Sequence, residues 1–163
     1  MSPTVVTYSG ASLLLPEGYS SAASADGLLA SNPHGDFLQL RAQPSNLPGP
    51  ILSLLGRNRE LFLQLLSAQA PVLLRQAINA QSAQEATASF TPIASELIST
   101  PAGSALFAST VLSLRGTQRT LCLWLLASPS LAQFYVLSLS ASADLSQVQT
   151  LMAPVLTSLS LRD

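Results

Sequence analysis

The segment 105–142 constrains the fold more than any other part of the chain, because it reads as three consecutive β-strands joined by two tight turns. The middle strand, 119–128, is apolar on both of its alternating faces, which is typical of a central strand covered on both sides. A glycine-containing break at 115–118 and a proline-serine break at 129–130 separate it from its neighbours. The pattern therefore predicts a β-meander in the middle of a sheet.

A membrane-spanning helix is the alternative interpretation of this region. Residues 120–143 carry no charge and would be long enough to cross a bilayer. The break at Pro129-Ser130 lies in the middle of that run, however, and Trp124 and Tyr135 lie inside it rather than at its ends. We therefore predict strands here and no membrane span.

The first half of the chain predicts several short strands followed by helices. The stretch 20–25 contains mainly small residues and is expected to be a loop, and the strands on either side of it are expected at 4–8, 11–15, 27–31 and 37–43. Apolar stripes of helical period predict helices over 51–69 and 72–81. The segment 86–93 is either a strand or an extended connector.

The chain closes with an amphipathic helix. Asp144 and Gln147 have the spacing of a capping box at its start, and Pro154 is expected to kink the helix or end it. Strands, then helices, then a meander and a closing helix indicate the α+β class. We predict one domain over 1–163, built on a single antiparallel β-sheet of about six or seven strands flanked by helices.

Composition limits the kind of partner this domain can have. Apolar residues make up 48% of the chain and charged residues 9%, against a usual charged share of about a quarter. Such a chain is not disordered, and an apolar patch left exposed on it would mark a partner site. The net charge of −1 gives no general electrostatic case for nucleic acid. No signal peptide is visible at the N-terminus, so a cytoplasmic protein is expected.

The residues that carry chemistry are few. Cys122 is the single cysteine, which excludes an internal disulfide and a cysteine-based zinc site, and a buried, inert thiol is expected. His34 is the single histidine, with Asp36 in the same turn. The chain has no lysine, no glycine-rich phosphate loop and no nucleophile elbow. We predict no catalytic residues, no cofactor and no metal.

Three local features carry a resemblance to a known fold. The first is the element Leu-Leu-Leu-Pro-Glu-Gly-Tyr at 13–19, and the second is a strand that follows the turn Gly35-Asp36. The third is the strand 135–141, which leads into an acidic cap and the final helix. In these features and in the order of its elements, the chain resembles the Mog1/PsbP-like sandwich fold, which includes bacterial domains related to DcrB and to type VI secretion effector chaperones. A roadblock/longin-type domain is the second choice, and it would need a helix where this chain begins with strands.

The resemblance implies a non-enzymatic binding module, a chaperone or adaptor that holds another protein on an apolar sheet face. The residues proposed for the partner surface are Arg57, Arg59, Phe107, Trp124 and Tyr135. Packing in the core is the favoured alternative for Trp124 and Tyr135, and a solvated polar helix face is the favoured alternative for Arg57. A homodimer is an alternative form of the same interaction. The second hypothesis is a domain that binds a small ligand or lipid in an apolar pocket. The third is a hydrolase built on a serine with His34 and Asp36.

Overall fold

The predicted meander forms the centre of the larger of two sheets in the computed structural model. Its strands are Gly103–Leu114, Thr117–Ala127 and Gln133–Ala141, and each pairs antiparallel with the next. The strand interpretation of this region is therefore confirmed for the described residues 120–127 and 133–141. Within the described ranges, no helix is long and apolar enough to cross a membrane.

The structure describes a defined set of residues, namely 5–8, 10–16, 18–24, 27–34, 36–44, 50, 61, 64, 89–90, 94–101, 103–114, 117–127 and 133–161. The strands of these ranges are β1 (Val5–Tyr8), β2 (Ala11–Leu14), β3 (Ser20–Ser24), β4 (Gly27–Ser31), β5 (Phe37–Pro44), β6 (Ser89–Phe90), β7 (Ala94–Thr100), β8 (Gly103–Leu114), β9 (Thr117–Ala127), β10 (Gln133–Ala141) and β11 (Ser160–Leu161). The helix α1 spans Leu145–Ser158.

The larger sheet is antiparallel and has the strand order β3-β4-β5-β10-β9-β8. The outer edge of β8 pairs with β7 along most of its length and with the two-residue strand β6 near its end. Together with the closing helix, this sheet confirms the predicted α+β class and its antiparallel pairing.

The N-terminal hairpin lies in a second, three-stranded sheet of order β1-β2-β11. The turn after β2 redirects the chain from this small sheet into β3 of the larger one. Gly18 in that turn has a φ of 85°, a conformation that favours glycine, and the N–H of Tyr19 donates to the carbonyl of Pro16 at 3.2 Å. The prediction of a single sheet is therefore wrong. Hydrophobic patterns identify strands, but they do not show which sheet a strand joins.

The main core lies between the larger sheet and a second layer made of α1 and the small sheet. From the second layer come the buried side chains of Ala11, Leu13, Val148, Met152 and Val155. From the facing side of the larger sheet come those of Leu38, Leu40, Cys122, Trp124, Tyr135, Leu137 and Leu139. The small sheet is bonded to the helix at the end of β2, where the N–H of Leu14 donates to Oγ of Ser158 at 2.8 Å.

The opposite face of the larger sheet is also apolar and buried. Leu121, Leu123 and Leu125 of β9 are inaccessible to solvent there, and Leu106 and Val136 on the neighbouring strands are buried as well. This burial agrees with the doubly apolar pattern of the central strand. Of the helix predicted over 51–69, only Leu61 and Gln64 are described, and both are helical and exposed. The rest of it and the helix predicted over 72–81 lie outside the described residues, so their role as cover remains a prediction.

Three described strands were not predicted from the sequence, and one of them is the two-residue strand β11 (Ser160–Leu161), which pairs with β2. The segment Ser20–Ser24 is a strand rather than the expected loop, and it pairs along its whole length with Gly27–Ser31. The strand Ala94–Thr100 pairs in the same way with the start of β8. In both of these longer segments a neighbouring strand supplies the backbone hydrogen bonds, so that pairing overrides the weak preference of serine- and alanine-rich segments for strands.

Pro154 does not end the closing helix, which continues to Ser158. The capping box predicted at its start is confirmed, since Oδ1 of Asp144 accepts from the N–H of Gln147 at 2.8 Å and Oε1 of Gln147 accepts from the N–H of Asp144 at 3.1 Å. Pro154 is exposed, so the interruption that it causes lies on the solvent side. Val155 and Leu159, which follow it, are buried and hold the last turn against the core.

Candidate functional site

A polar cluster lies at one end of the larger sheet, where β5 and β9 begin and β10 ends. We call it the Asp36 cluster, and its members are Tyr19, Asn32, Asp36, Arg119, Ser140 and Ser142. The turn between β4 and β5 positions Asp36. Oδ1 of Asn32 accepts from the N–H groups of His34 and Asp36 at 3.0 and 2.9 Å, which is the geometry of an asparagine-initiated turn.

The Asp36 carboxylate joins three parts of the chain. Its Oδ1 accepts from the N–H of Ser142 at 3.1 Å and lies 3.7 Å from Nη2 of Arg119, and its Oδ2 accepts from Nδ2 of Asn32 at 3.0 Å. The side chains of Arg119 and Asp36 are only 19% and 17% exposed, so their attraction is screened less than that of a surface pair. The carboxylate thereby fixes the turn, the start of β9 and the exit of β10.

Arg119 extends the same network across two strands. Its Nε donates to Oγ of Ser140 at 2.9 Å, and its Nη2 donates to the carbonyl of Ser140 at 3.0 Å. Beside it, Oγ1 of Thr120 donates to the carbonyl of Ala143 at 2.6 Å. These bonds hold the segment that leads from β10 into α1, so the cluster sets where the helix begins.

Tyr19 contributes a buried phenol to the edge of this cluster. The residue is 8% exposed, and its hydroxyl has no hydrogen-bond partner among the described residues. Burial raises the pKa of Tyr19 to about 12; the charge of Asp36 acts in the same direction and that of Arg119 in the opposite one. The hydroxyl is therefore a neutral donor with its bond unmade, which costs folding free energy.

We expect Tyr19→Phe to raise the free energy of unfolding by about 1 kcal/mol, because it removes a buried donor that has nothing to bind. Urea unfolding followed by circular dichroism measures the change. Tyr135→Phe is the matched control, since Oη of Tyr135 accepts from Nε2 of Gln133 at 2.7 Å, and its loss is expected to destabilise the fold. An equal loss in both variants would mean that Tyr19 has a partner in solution.

The hydrolase arrangement of a serine with His34 and Asp36 is not assembled within the described residues. His34 is exposed in its turn, and the oxygens of Asp36 accept from Asn32 and Ser142 instead of from an imidazole. Of the two serines of the cluster, Ser140 is fully buried with its hydroxyl held by Arg119, and Ser142 contacts Asp36 through its backbone N–H. In the same part of the chain, no three side chains among His, Cys, Asp and Glu come together as metal ligands.

The aromatic residues proposed for a partner surface lie in the core instead. Phe107, Trp124 and Tyr135 are all buried on the side of the larger sheet that faces α1 and the small sheet. The rings of Phe107 and Trp124 pack in a tilted arrangement with their centroids 5.3 Å apart. This burial does not agree with a surface role for them, and it agrees with the core packing favoured for Trp124 and Tyr135. Arg57 and Arg59 lie outside the described residues.

Cys122 lies in the same core and is inaccessible to solvent. Burial raises the pKa of its thiol to about 12, so the thiolate is essentially unpopulated at neutral pH. The expectation of a buried, inert thiol is confirmed.

The second layer presents a surface without charge. We call it the uncharged layer and define it as β1, β2, α1 and β11, whose residues include no Asp, Glu, Lys, Arg or His. Its exposed side chains are small, apolar or neutral and polar, among them Val5, Thr7, Gln149, Thr150, Ala153, Pro154 and Thr157. Charged residues are scarce in the whole chain, and the four elements of this layer contain none at all.

Comparison with known proteins identifies the fold. No protein-family model and no curated protein matches the sequence. Among solved structures, cyanobacterial PsbP from Synechocystis sp. PCC 6803 aligns with a TM-score of 0.58 at 14% identity, over 98% of this chain and 92% of that one. LpqN, described as involved in cell envelope biogenesis of Mycobacterium tuberculosis, aligns with a TM-score of 0.54 at 17% identity, over 99% of this chain and 85% of that one.

A chain from Bacteroides thetaiotaomicron VPI-5482 aligns with a TM-score of 0.55 at 12% identity. The match covers 94% of this chain but 46% of the other, so this chain spans less than half the length of that neighbour. These similarities show that the chain has the Mog1/PsbP-like fold expected from its sequence features. At this level of sequence identity the similarities show the fold only, and the function has to be inferred from the site.

Proposed function

We propose that this chain is a non-enzymatic protein-binding module, an adaptor or chaperone, which holds its protein partner on the uncharged layer. The observation that carries the proposal is the absence of charge from every described element of that layer, β1, β2, α1 and β11. The centres of protein interfaces are depleted of charged residues, because each charge must be desolvated on binding. A surface without charge avoids that cost.

The surface first expected for the partner was an apolar face of the larger sheet. One face of that sheet packs against α1 and the small sheet, and the other is buried along β9 at Leu121, Leu123 and Leu125. A partner on either face would have to displace packed side chains. The outer side of the uncharged layer faces away from this packing, with Ala153, Pro154 and Thr157 of α1 exposed, so a partner reaches it without opening the fold.

The proteins of similar fold are compatible with a binding role. One is a cyanobacterial PsbP, and another is described as involved in cell envelope biogenesis; neither description names a catalysed reaction. The chemistry that the Asp36 cluster assembles supports the same proposal. Its carboxylate and guanidinium bind each other and the backbone, which is an arrangement that positions strands and a helix.

Affinity capture with the full chain tests the proposal. The chain is used to capture proteins from cytoplasmic and envelope fractions of its source, and cross-linking mass spectrometry locates the contact. Ala153→Arg places a charge on the exposed side of α1, and Ser99→Arg places the same charge on the exposed strand β7 as the control. We expect the partner's affinity to fall at least about tenfold for Ala153→Arg and to be unchanged for Ser99→Arg.

Equal recovery with both variants would contradict the uncharged layer as the partner's surface. The alternative hypothesis, an apolar pocket for a small ligand or lipid, predicts a different result. Native mass spectrometry would then detect a stoichiometric small molecule, while no protein would be cross-linked to the layer. The fraction that supplies the partner also tests the cytoplasmic location expected from the sequence.

A further inference from the structure

The strand β1 leaves one edge of the small sheet open in the described part of the chain. It pairs with β2 on one side only, and the sheet order β1-β2-β11 places it at the end. Its sequence, Val-Val-Thr-Tyr, combines residues with strong strand preference and contains none of the charges or prolines that usually protect an edge. Val5 is 65% exposed, the most exposed of the large apolar residues described.

We propose that β1 pairs antiparallel with β1 of a second copy of this chain, about a twofold axis at Thr7. The two three-stranded sheets then become one continuous sheet through the dimer. This inference names a partner for one edge of the uncharged layer, and in that sense it rests on the proposed function. A twofold pairing uses the same edge on both copies, so one surface suffices for both sides of the contact.

The alternation of side chains restricts the register of this pairing. Val6 and Tyr8 face the core, whereas Val5 and Thr7 face solvent. Residues directly opposite each other in an antiparallel pair lie on the same side of the sheet. The axis therefore passes through a residue and not between two residues, which leaves Val6 and Thr7 as centres within the strand.

Thr7 is the better centre of the two. With the axis at Thr7, the two Thr7 side chains lie opposite each other on the solvent side, where their hydroxyls can form a hydrogen bond. Val6 of each copy then lies opposite Tyr8 of the other on the core side. Pairs of an aromatic with a β-branched residue are among the favourable cross-strand pairs. Because the strand carries no charge, the second copy brings no like charge against it. A centre at Val6 leaves the large ring of Tyr8 without a partner inside the strand, whereas the centre at Thr7 leaves only the smaller Val5 without one.

Sedimentation of the purified full chain provides the first test. We expect a reversible, concentration-dependent dimer over about three decades of concentration, because a pairing this short is weaker than interfaces of standard size. Val5→Lys adds an edge charge and is expected to weaken the dimer at least about tenfold. Leu97→Lys is the matched control on β7, at a residue 37% exposed, and is expected to leave the dimer unchanged.

Cysteine cross-linking tests the register. In the proposed pairing, Thr7→Cys brings the two thiols directly opposite each other within disulfide reach. Val5→Cys leaves them about 13 Å apart along the strands, and no bridge forms. The native Cys122 does not interfere, since it is buried and its thiol is protonated. Mild oxidation should therefore give a covalent dimer with Thr7→Cys and a monomer with Val5→Cys.

A monomer at every concentration, with no cross-link from Thr7→Cys, would overturn the proposal. So would a dimer that Val5→Lys weakens no more than Leu97→Lys does, or a cross-link that favours Val5→Cys. These results are independent of the capture experiment. Loss of the dimer with retained capture sensitive to Ala153→Arg refutes self-pairing alone, whereas a dimer without any captured partner refutes the wider adaptor function.

Discussion

Trp124→Ala is expected to lower the free energy of unfolding by about 3–5 kcal/mol, the range for removing a large aromatic side chain from a packed core. Trp124 is 2% exposed, lies opposite Leu137 of β10 and Phe107 of β8, and packs against the Phe107 ring. Domains of this size have a total stability of about 5–15 kcal/mol, so much of the margin is lost. Urea unfolding followed by far-ultraviolet circular dichroism measures it, because the single tryptophan is no longer a fluorescent probe.

Two further variants keep this prediction testable if the alanine variant does not fold. Trp124→Phe leaves a smaller cavity and is expected to lose less stability, in the same direction. Leu145→Ala removes an exposed apolar side chain at the start of α1 and is expected to change stability by less than about 0.5 kcal/mol. A Trp124→Ala protein of unchanged stability that fails to bind its partner would instead support the surface role first expected for this residue.

The placement of Trp124 illustrates what the sequence could predict and what it could not. Alternating and doubly apolar patterns are local signals, and they located the meander and the central strand correctly. The capping box of Asp144 and Gln147 is local in the same sense. Whether Trp124 is covered by a partner or by the chain's own second layer depends in part on a turn at Gly18 that redirects the chain between the two sheets. No periodic pattern encodes that choice.

The Asp36 cluster could not be predicted for a related reason. Asp36 and Ser142 lie 106 positions apart, and Arg119 joins them from a third strand. The sequence pointed to Asp36 through the Gly35-Asp36 turn of the fold resemblance and, in the third hypothesis, through its neighbour His34. One signal was present: the Leu-Pro-x-Gly-Tyr element contains Tyr19, which borders the cluster. It supported a resemblance in fold but gave no indication of which side chains Tyr19 would approach.

Asp36→Ala is expected to destabilise the protein by about 3 kcal/mol. The substitution removes the acceptor for the N–H of Ser142 and for Nδ2 of Asn32, and it leaves the mostly buried Arg119 without its carboxylate. Chemical denaturation measures the loss. His34→Ala is the control from the same turn, and as an exposed residue it is expected to change stability by less than about 0.5 kcal/mol.

A double-mutant cycle between Asp36 and Arg119 shows whether the cluster acts as one unit. If the carboxylate chiefly serves to fix Arg119 and the segment leading into α1, the loss in Asp36→Ala combined with Arg119→Ala will be smaller than the sum of the single losses. The expected coupling is on the order of 1 kcal/mol, since the pair is in contact and shares a network with Ser140. Strictly additive losses would mean that each side chain supports the fold independently. In that case the cluster would not fix the start of α1 as one unit, and the packing of α1 against the core would set the position of the uncharged layer.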